Sequence, residues 1–349
     1  MVCAFGIIGN LLNLIVLTRK RFTKSMETME RTAQLCLTAL AGSDLIICSM
    51  TFPGAVLPQK WLYEERSFGL YFSVYSGGLI NAFVLFSTWL TVVMTIERYI
   101  VVCHPLHARS IVGIKRTVRA VVIVLVLSIG VNLPRFWMTE IIDVKCDKFS
   151  EAPSNTNQTC YITKPSSLEK NVKFIYAYRG VYFVLGFCIP LITLIFCNCN
   201  LIRALTRSSQ LQRRHSAQVS YRTNRSKDRL TVTLIAIITL FCVLVSPSEI
   251  RGFISSMADI RKDYSRYQSI ITAGYVTNFA LMINFSMNFV LYCAVNYTFR
   301  KTMKSMLFSC IYGTEKSNGT RHQNGSVRDR STNYDHLTMS VSTPIVDDC

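Results

Sequence analysis

The sequence predicts an all-α membrane protein, a seven-helix transmembrane bundle followed by a short amphipathic eighth helix. Three observations carry this expectation. Half of the 349 residues are hydrophobic and only 17% are charged, with a mean hydropathy of +0.31, a balance rare in a water-soluble domain of this length. Seven mostly apolar runs, near the length of about 20 residues that a helix needs to cross a bilayer, are separated by polar connectors. The basic residues gather in alternate connectors.

The runs cover residues 2–17, 33–57, 69–101, 118–137, 174–205, 230–257 and 269–295. The first is short because the sequence begins inside it, which points to a clipped first span. A secretory signal peptide is the competing reading, but "GNLLNLIVLTRKR" has no small-residue cleavage site and runs straight into basic residues. The expected organisation is a transmembrane domain over residues 1–296, an amphipathic helix on the inner leaflet over 297–310, and a disordered tail over 311–349. The connectors leave no room for a soluble domain, and no inverted repeat of the transporter kind is visible.

Orientation follows from charge. The connector after the first run carries Arg19, Lys20, Arg21, Lys24 and Arg31 against Glu27 and Glu30. The one after the fifth carries Arg203, Arg207, Arg213, Arg214, Arg222, Arg225, Lys227 and Arg229 against Asp228 alone. Both should face the cytoplasm, which puts the amino terminus outside and the tail inside a plasma membrane. The net charge of +18 is then explained by anionic lipid and an acidic cytoplasmic partner rather than by nucleic acid. Asn157 opens a sequon on the outer side and is the expected glycosylation site, whereas Asn318 and Asn324 lie inside. Of 13 cysteines, only Cys146 and Cys160 fall in an outer loop, where disulfides persist. Cys310 ends "NYTFRKTMKSMLFSC", whose Phe299, Met303, Met306 and Leu307 share a face, and is the candidate for palmitoylation.

Short motifs recur in a fixed order on these runs. Span one has "GNLLN" with Asn10; span two has "LAGSDL" with Asp44; span three ends in "ERY" followed by "CHPL". Span five has Pro190, span six has "FCVLVSP" with Phe241 and Pro247, and span seven has "NFSMNFVLY" with Asn288 and Tyr292 before "FRK". In this order, over nearly the whole chain, they resemble the rhodopsin-like family of G-protein-coupled receptors. More locally, "VNLPRFWMTE" and "NFVLYC" are similar to invertebrate FMRFamide-type neuropeptide receptors.

The resemblance implies roles. An ionisable residue inside a span is expensive, so Asp44 is either functional or paired. By resemblance Asn10, Ser87, Asn284 and Asn288 surround it, as a sodium pocket that collapses on activation or as a hydrated network that packs the helices. Arg98 would be held at rest by Glu97 in the motif completed by Tyr99, and freed to meet the carboxy-terminal helix of a G-protein α subunit. Leu106 would be the apolar knob gripped by that partner. Asn288 and Tyr292 would form a switch in span seven, with Pro190 and Pro247 as kinks.

The sequence also departs from the family pattern. Val245 stands where a Trp is usual, Phe289 where a Pro is usual and Asn198 where a Tyr is usual. Lys227 stands where some members place an acid, which leaves Glu97 as the main restraint on Arg98. Ser73 replaces the cysteine that ties span three to the outer loop, so a local Cys146–Cys160 bridge is expected instead, with two free thiols as the alternative.

Met282 or one of its apolar neighbours stands at the position of a retinal lysine and Ile80 at that of an amine-binding carboxylate, which disfavours an opsin and an amine receptor. A peptide ligand remains. For an RF-amide peptide, Glu249 and then Glu140 are the candidate partners of its Arg, with Tyr75, Phe136, Trp137, Tyr182 and Tyr275 as candidate lining. The expected partners are that peptide, a heterotrimeric G protein, membrane lipid, and arrestin and receptor kinases at the Ser/Thr-rich tail. No cofactor is expected beyond a sodium ion at Asp44, and no metal-spaced His or Cys cluster supports an enzyme. The rival readings are a receptor of this fold for a non-peptide or chemosensory ligand, and a polytopic transporter.

Overall fold

The computed structural model describes residues 1–19, 28–56, 68–145, 159–214, 242–255, 264–295 and 297–312, with the isolated helical positions 235, 239 and 240. The chain divides into two units, Met1–Lys304 and Ser305–Cys349. Span one is Val2–Leu17, span two Thr28–Val56 and span three Phe68–Cys103, followed by a short helix Pro105–Ile111. Span four is Ile114–Asn132, tightening into a 3-10 turn at Leu133–Trp137. Strands β1 (Thr139–Lys145) and β2 (Thr159–Pro165) pair antiparallel, with Glu140 opposite Lys164, and a single turn of helix, Ser167–Lys170, leads on to span five. Span five runs through Val172–Phe183, a π-helical stretch Val184–Cys188 and Ile189–Arg214. Residues 242–255 are the described part of span six, and Tyr264–Val295 is span seven. The last helix, Tyr297–Tyr312, carries the unit boundary and runs two residues past the expected end at 310.

Five of these helices are long and apolar enough to cross a membrane, and Val2–Leu17 is apolar but shorter. Span two begins five residues before the apolar run and span five ends nine residues after it. Hydropathy marks the part of a helix that meets lipid, whereas the backbone ladder continues into polar sequence as long as nothing interrupts it.

Span three is the central post. Its side chains are buried on all sides from Ala82 to Thr95, and it packs against spans two, four and five. Hydroxyls buried on it are satisfied locally: Thr88, Thr91 and Thr95 donate to the carbonyls of Val84, Ser87 and Thr91 at 2.9, 2.9 and 2.6 Å. Polar residues can therefore sit in a span without leaving an unpaired donor. Spans four and five instead turn Val122, Ile123, Val126, Leu127, Ile192, Ile195 and Phe196 outward. So large an apolar surface suits lipid and not water.

Pro190 explains the π-helical stretch. It has no N–H, so the carbonyl four residues before it lacks its helical donor and the backbone widens there. The indole of Trp89 in span three donates to the carbonyl of Leu185 at 3.1 Å, fastening span three to the widened turn.

Span one lies tight against spans two and seven. A Cβ at Gly6 would stand 2.6 Å from both Cys48 Sγ and Ser286 Oγ, and one at Gly9 would stand 3.0 Å from Phe289 Cβ. Small residues permit this approach, and hydrogen bonds then stitch it: Ser286 donates to the carbonyl of Val2 at 3.2 Å. Gly6→Val should therefore destabilise the bundle by about 1–3 kcal/mol and lower the thermal midpoint of the solubilised protein; an unchanged midpoint would contradict this packing.

Candidate functional site

The centre of the bundle is organised by one carboxylate. Asp44 is 0% exposed. Ser87 Oγ donates to its Oδ1 at 3.1 Å and Asn288 Nδ2 donates to its Oδ2 at 2.5 Å, so spans two, three and seven meet on one side chain. Asn10 joins at one remove, donating to the carbonyl of Phe285 at 2.9 Å while accepting from Asn13 at 3.4 Å. Asn284 is half-buried and does not bond Asp44 directly. The carboxylate and the Ser87 hydroxyl offer hard oxygen atoms, whereas Asn288 turns its nitrogen toward the carboxylate.

At one end of the bundle, Arg98 is only 6% exposed, far more buried than a side chain that merely reaches for an interface. Its neighbour Glu97 accepts a hydrogen bond on Oε1 from Thr117 Oγ1 of span four at 2.5 Å. Thr117 follows the loop at Gly113 that turns the chain from the short helix into span four. Tyr99 Oη and His104 Nε2 lie 3.2 Å apart, and the Tyr99 ring also packs on Phe196 at 5.8 Å. Leu106, on the short helix, is 87% exposed. Tyr292 is fully buried, packs on Phe299 at 5.4 Å and has no hydrogen-bond partner for its hydroxyl among the described residues. Arg300 caps the end of span seven, donating to the carbonyls of Cys293 and Ala294 at 2.8 and 2.7 Å.

At the opposite end, beside the strands, spans two to seven enclose a cavity of about 640 Å³. Glu249 and Tyr182 line it, as do Arg135, Arg179, Arg251, Glu169, Tyr178 and Phe253. Its apolar floor includes Ile80, Val84, Leu281 and Met282, which also pack around Ile47, Cys48 and Phe285. The other expected lining residues stand elsewhere. Tyr75 stacks on Phe136 at 6.3 Å, and Phe136 fills the space above Gly78, so this pair packs span three against the turn after span four. Trp137 and Tyr275 are 60% and 71% exposed and line no wall of the cavity. Glu140 pairs with Lys164 across the two strands, N to O 3.6 Å, also outside the lining.

The family model of the seven-transmembrane receptors of the rhodopsin family matches residues 9–292. The chain belongs to that family. Among its relatives, the FMRFamide receptor of Drosophila melanogaster is 27% identical over 318 residues, covering 88% of this chain and 52% of that protein. Sex peptide receptor-related protein 2 of Caenorhabditis elegans is 25% identical over 234 residues, 64% of this chain and 51% of that protein. The human B1 bradykinin receptor is 23% identical over 314 residues, 88% of this chain and 80% of that protein. The chain thus spans about half the length of the first two. The family is one of receptors and not of enzymes, and its members cross the membrane many times.

Within this receptor, one residue absent from the sequence expectations stands out. Val245 occupies the usual Trp position, but it lies in a buried cluster with Val92 and Leu194, and Trp89 of span three packs against that cluster. An indole is therefore present beneath the cavity, supplied by a different helix. The only sequence signal was a Trp in mid-span, a costly residue to bury without a partner for its N–H. Asn198, at the usual Tyr position, has a buried side-chain oxygen without a partner among the described residues. Ser73 donates to the carbonyl of Leu70 at 2.8 Å. Pro247 lies in the described helix 242–255. Phe241, Cys146 and Asn157 lie outside the described residues, and only the backbone of Cys160 and of Cys310 is described.

Asn288→Ala would leave Asp44 Oδ2 without its donor in a dry interior, a loss of about 1–3 kcal/mol. Thermal unfolding of the purified receptor should show a lower midpoint for Asn288→Ala than for Ala substitution of the outward-facing Tyr275.

Proposed function

We propose that this chain is a receptor for an extracellular neuropeptide of the FMRFamide class, which activates a heterotrimeric G protein when the peptide enters the cavity beside the strands. The observation that carries the proposal is the continuity of span seven. Leu281 and Met282 floor the cavity, Phe285 lies one turn below, and Asn288 one turn further holds Asp44. A ligand pressing on that floor would bias the helix that closes the central network. The relatives, an FMRFamide receptor, a sex peptide receptor-related protein and a B1 bradykinin receptor, favour a peptide ligand.

Positive charge assigns the Arg98 end to the cytoplasm of a plasma-membrane receptor and the strands to the outside. At rest, Glu97 restrains Arg98 and is itself anchored to span four by Thr117. On activation, spans five and six would move at Pro190 and Pro247, with Phe241 and Trp89 transmitting from the cavity. Arg98 would then be released toward the G-protein α helix, with exposed Leu106 as the apolar contact. The hydroxyl of Tyr292 and the side-chain oxygen of Asn198, which have no hydrogen-bond partner among the described residues, are groups that a rearranged bundle could satisfy. Asp44 and Ser87 are the residues that would hold a sodium ion, which would neutralise the buried carboxylate; Asn10 and Asn284 stand one step back.

In the same reading Cys146 and Cys160 pair and Asn157 carries a glycan. The pairing of β1, which ends at Lys145, with β2, which holds Cys160, supports this reading. On the inner side Cys310 carries a palmitate, and the tail from 311 onward serves receptor kinases and arrestin.

The deciding measurement is guanine-nucleotide exchange in membranes containing the full chain, challenged with a panel of amidated peptides. Peptide-stimulated exchange is expected. Stimulation only by non-peptide compounds would favour the chemosensory alternative, and solute flux without exchange would favour a transporter. Without ligand, Glu97→Gln and Thr117→Ala should each raise basal exchange about fivefold, the population shift worth about 1 kcal/mol. Unchanged basal exchange in both, at equal surface expression, would remove the Glu97 restraint.

A further inference from the structure

The cavity carries more positive charge than its own carboxylates balance. Arg135, Arg179 and Arg251 line it against Glu169 and Glu249, and no other ionisable acid or base among the described residues does so except the tyrosines. Two of the arginines are braced from behind. Arg135 Nε donates to Asn132 Oδ1 at 3.1 Å while its guanidinium lies over the Tyr182 ring, 4.7 Å from the centroid. Arg251 Nε donates to Thr277 Oγ1 at 3.0 Å, and its Nη1 would be only 3.4 Å from a Cβ at Gly274, so span seven keeps a glycine where the guanidinium passes. Arg251, anchored through Nε, retains the Nη pair that grips a carboxylate in a fork, whereas Arg135 also hydrogen-bonds Tyr178 and Tyr182 and adds its charge.

Glu249 interacts electrostatically with both of these arginines. Among the described lining residues Glu169 and Glu249 leave one of three guanidinium charges unbalanced, and the remaining field favours an anion. The sequence alone suggested the opposite emphasis, a carboxylate waiting for the cation of a ligand. With Arg135 and Arg251 beside it, Glu249 already has cations to balance.

We propose that the cavity selects a peptide that carries a carboxylate next to an apolar side chain. Arg251 and Arg135 hold the carboxylate, and the floor at Ile80, Leu281 and Met282 receives the apolar group. This rests on the peptide-receptor reading and narrows it. The carboxylate comes either from a free peptide carboxyl terminus or from an acidic side chain.

Binding of four synthetic peptides to the full chain in nanodiscs separates these sources: Phe-Met-Arg-Phe as the amide, the same peptide as the free acid, and the amide extended at its amino end by Asp or by Asn. The charged member of at least one pair, acid against amide or Asp against Asn, should bind about tenfold more tightly, the worth of one charge-assisted hydrogen bond. The pair that separates names the source. Arg251→Gln and Arg135→Gln should each erase the difference, while Arg251→Lys should keep part of it. Equal affinities within both pairs, or no binding by any of the four, overturns the proposal, whatever the variants do. Basal exchange raised by Glu97→Gln does not involve the cavity, so a chain that passes that test without a charge preference loses this inference alone.

Discussion

Asp44 is buried in the middle of the bundle, and its two oxygens accept hydrogen bonds from Ser87 of span three and Asn288 of span seven. In a bilayer, helices gain little from hiding apolar surface from one another, because lipid is as apolar as they are. Specific polar contacts and close packing must hold the arrangement instead. One carboxylate that needs partners, and finds them on two other spans, therefore does more to define the bundle than any apolar pair. Span one completes the arrangement, since Asn10 and Gly6 bring it against the same stretch of span seven.

The same constraint connects the two ends of the receptor. Span seven contributes the cavity floor at Leu281 and Met282, the network at Asn288 and the buried ring of Tyr292, each within one or two turns of the next. Span three likewise carries Ile80 at the floor, Ser87 in the network and Arg98 at the far end. Spans three and seven thus both run from the cavity to the Arg98 end, and Asp44 between them bonds to each. Coupling of this kind needs two alternative packings of the same contacts. Among the described residues the hydroxyl of Tyr292 and the side-chain oxygen of Asn198 have no hydrogen-bond partner.

Departures from the family pattern are compensated locally. The missing Trp of span six is answered by Trp89, which sits on Val245 and spends its N–H on the carbonyl of Leu185 in the widened turn of span five. Ser73, in place of the usual cysteine, spends its hydroxyl within its own helix on the carbonyl of Leu70. The loop it would have tethered is organised instead by the paired strands, with Glu140 facing Lys164.

The apolar runs, the basic connectors and the order of "GNLLN", "SDL", "ERY" and "NFVLY" determined the fold class and the family, because a bilayer imposes length and charge rules that one-dimensional sequence states directly. The cost of an ionisable residue in mid-span marked Asp44 as functional or paired, and the family resemblance named Ser87 and Asn288 as its neighbours. Only tertiary structure decided which side chains meet across helices. It turned Tyr75, Phe136, Trp137 and Tyr275 to packing or to the outside, gave Glu140 to Lys164, anchored Glu97 to Thr117 and gathered three arginines around the cavity. The rotation of each helix about its own axis settles such contacts, and that rotation follows from packing against neighbours distant in sequence, which no single run records.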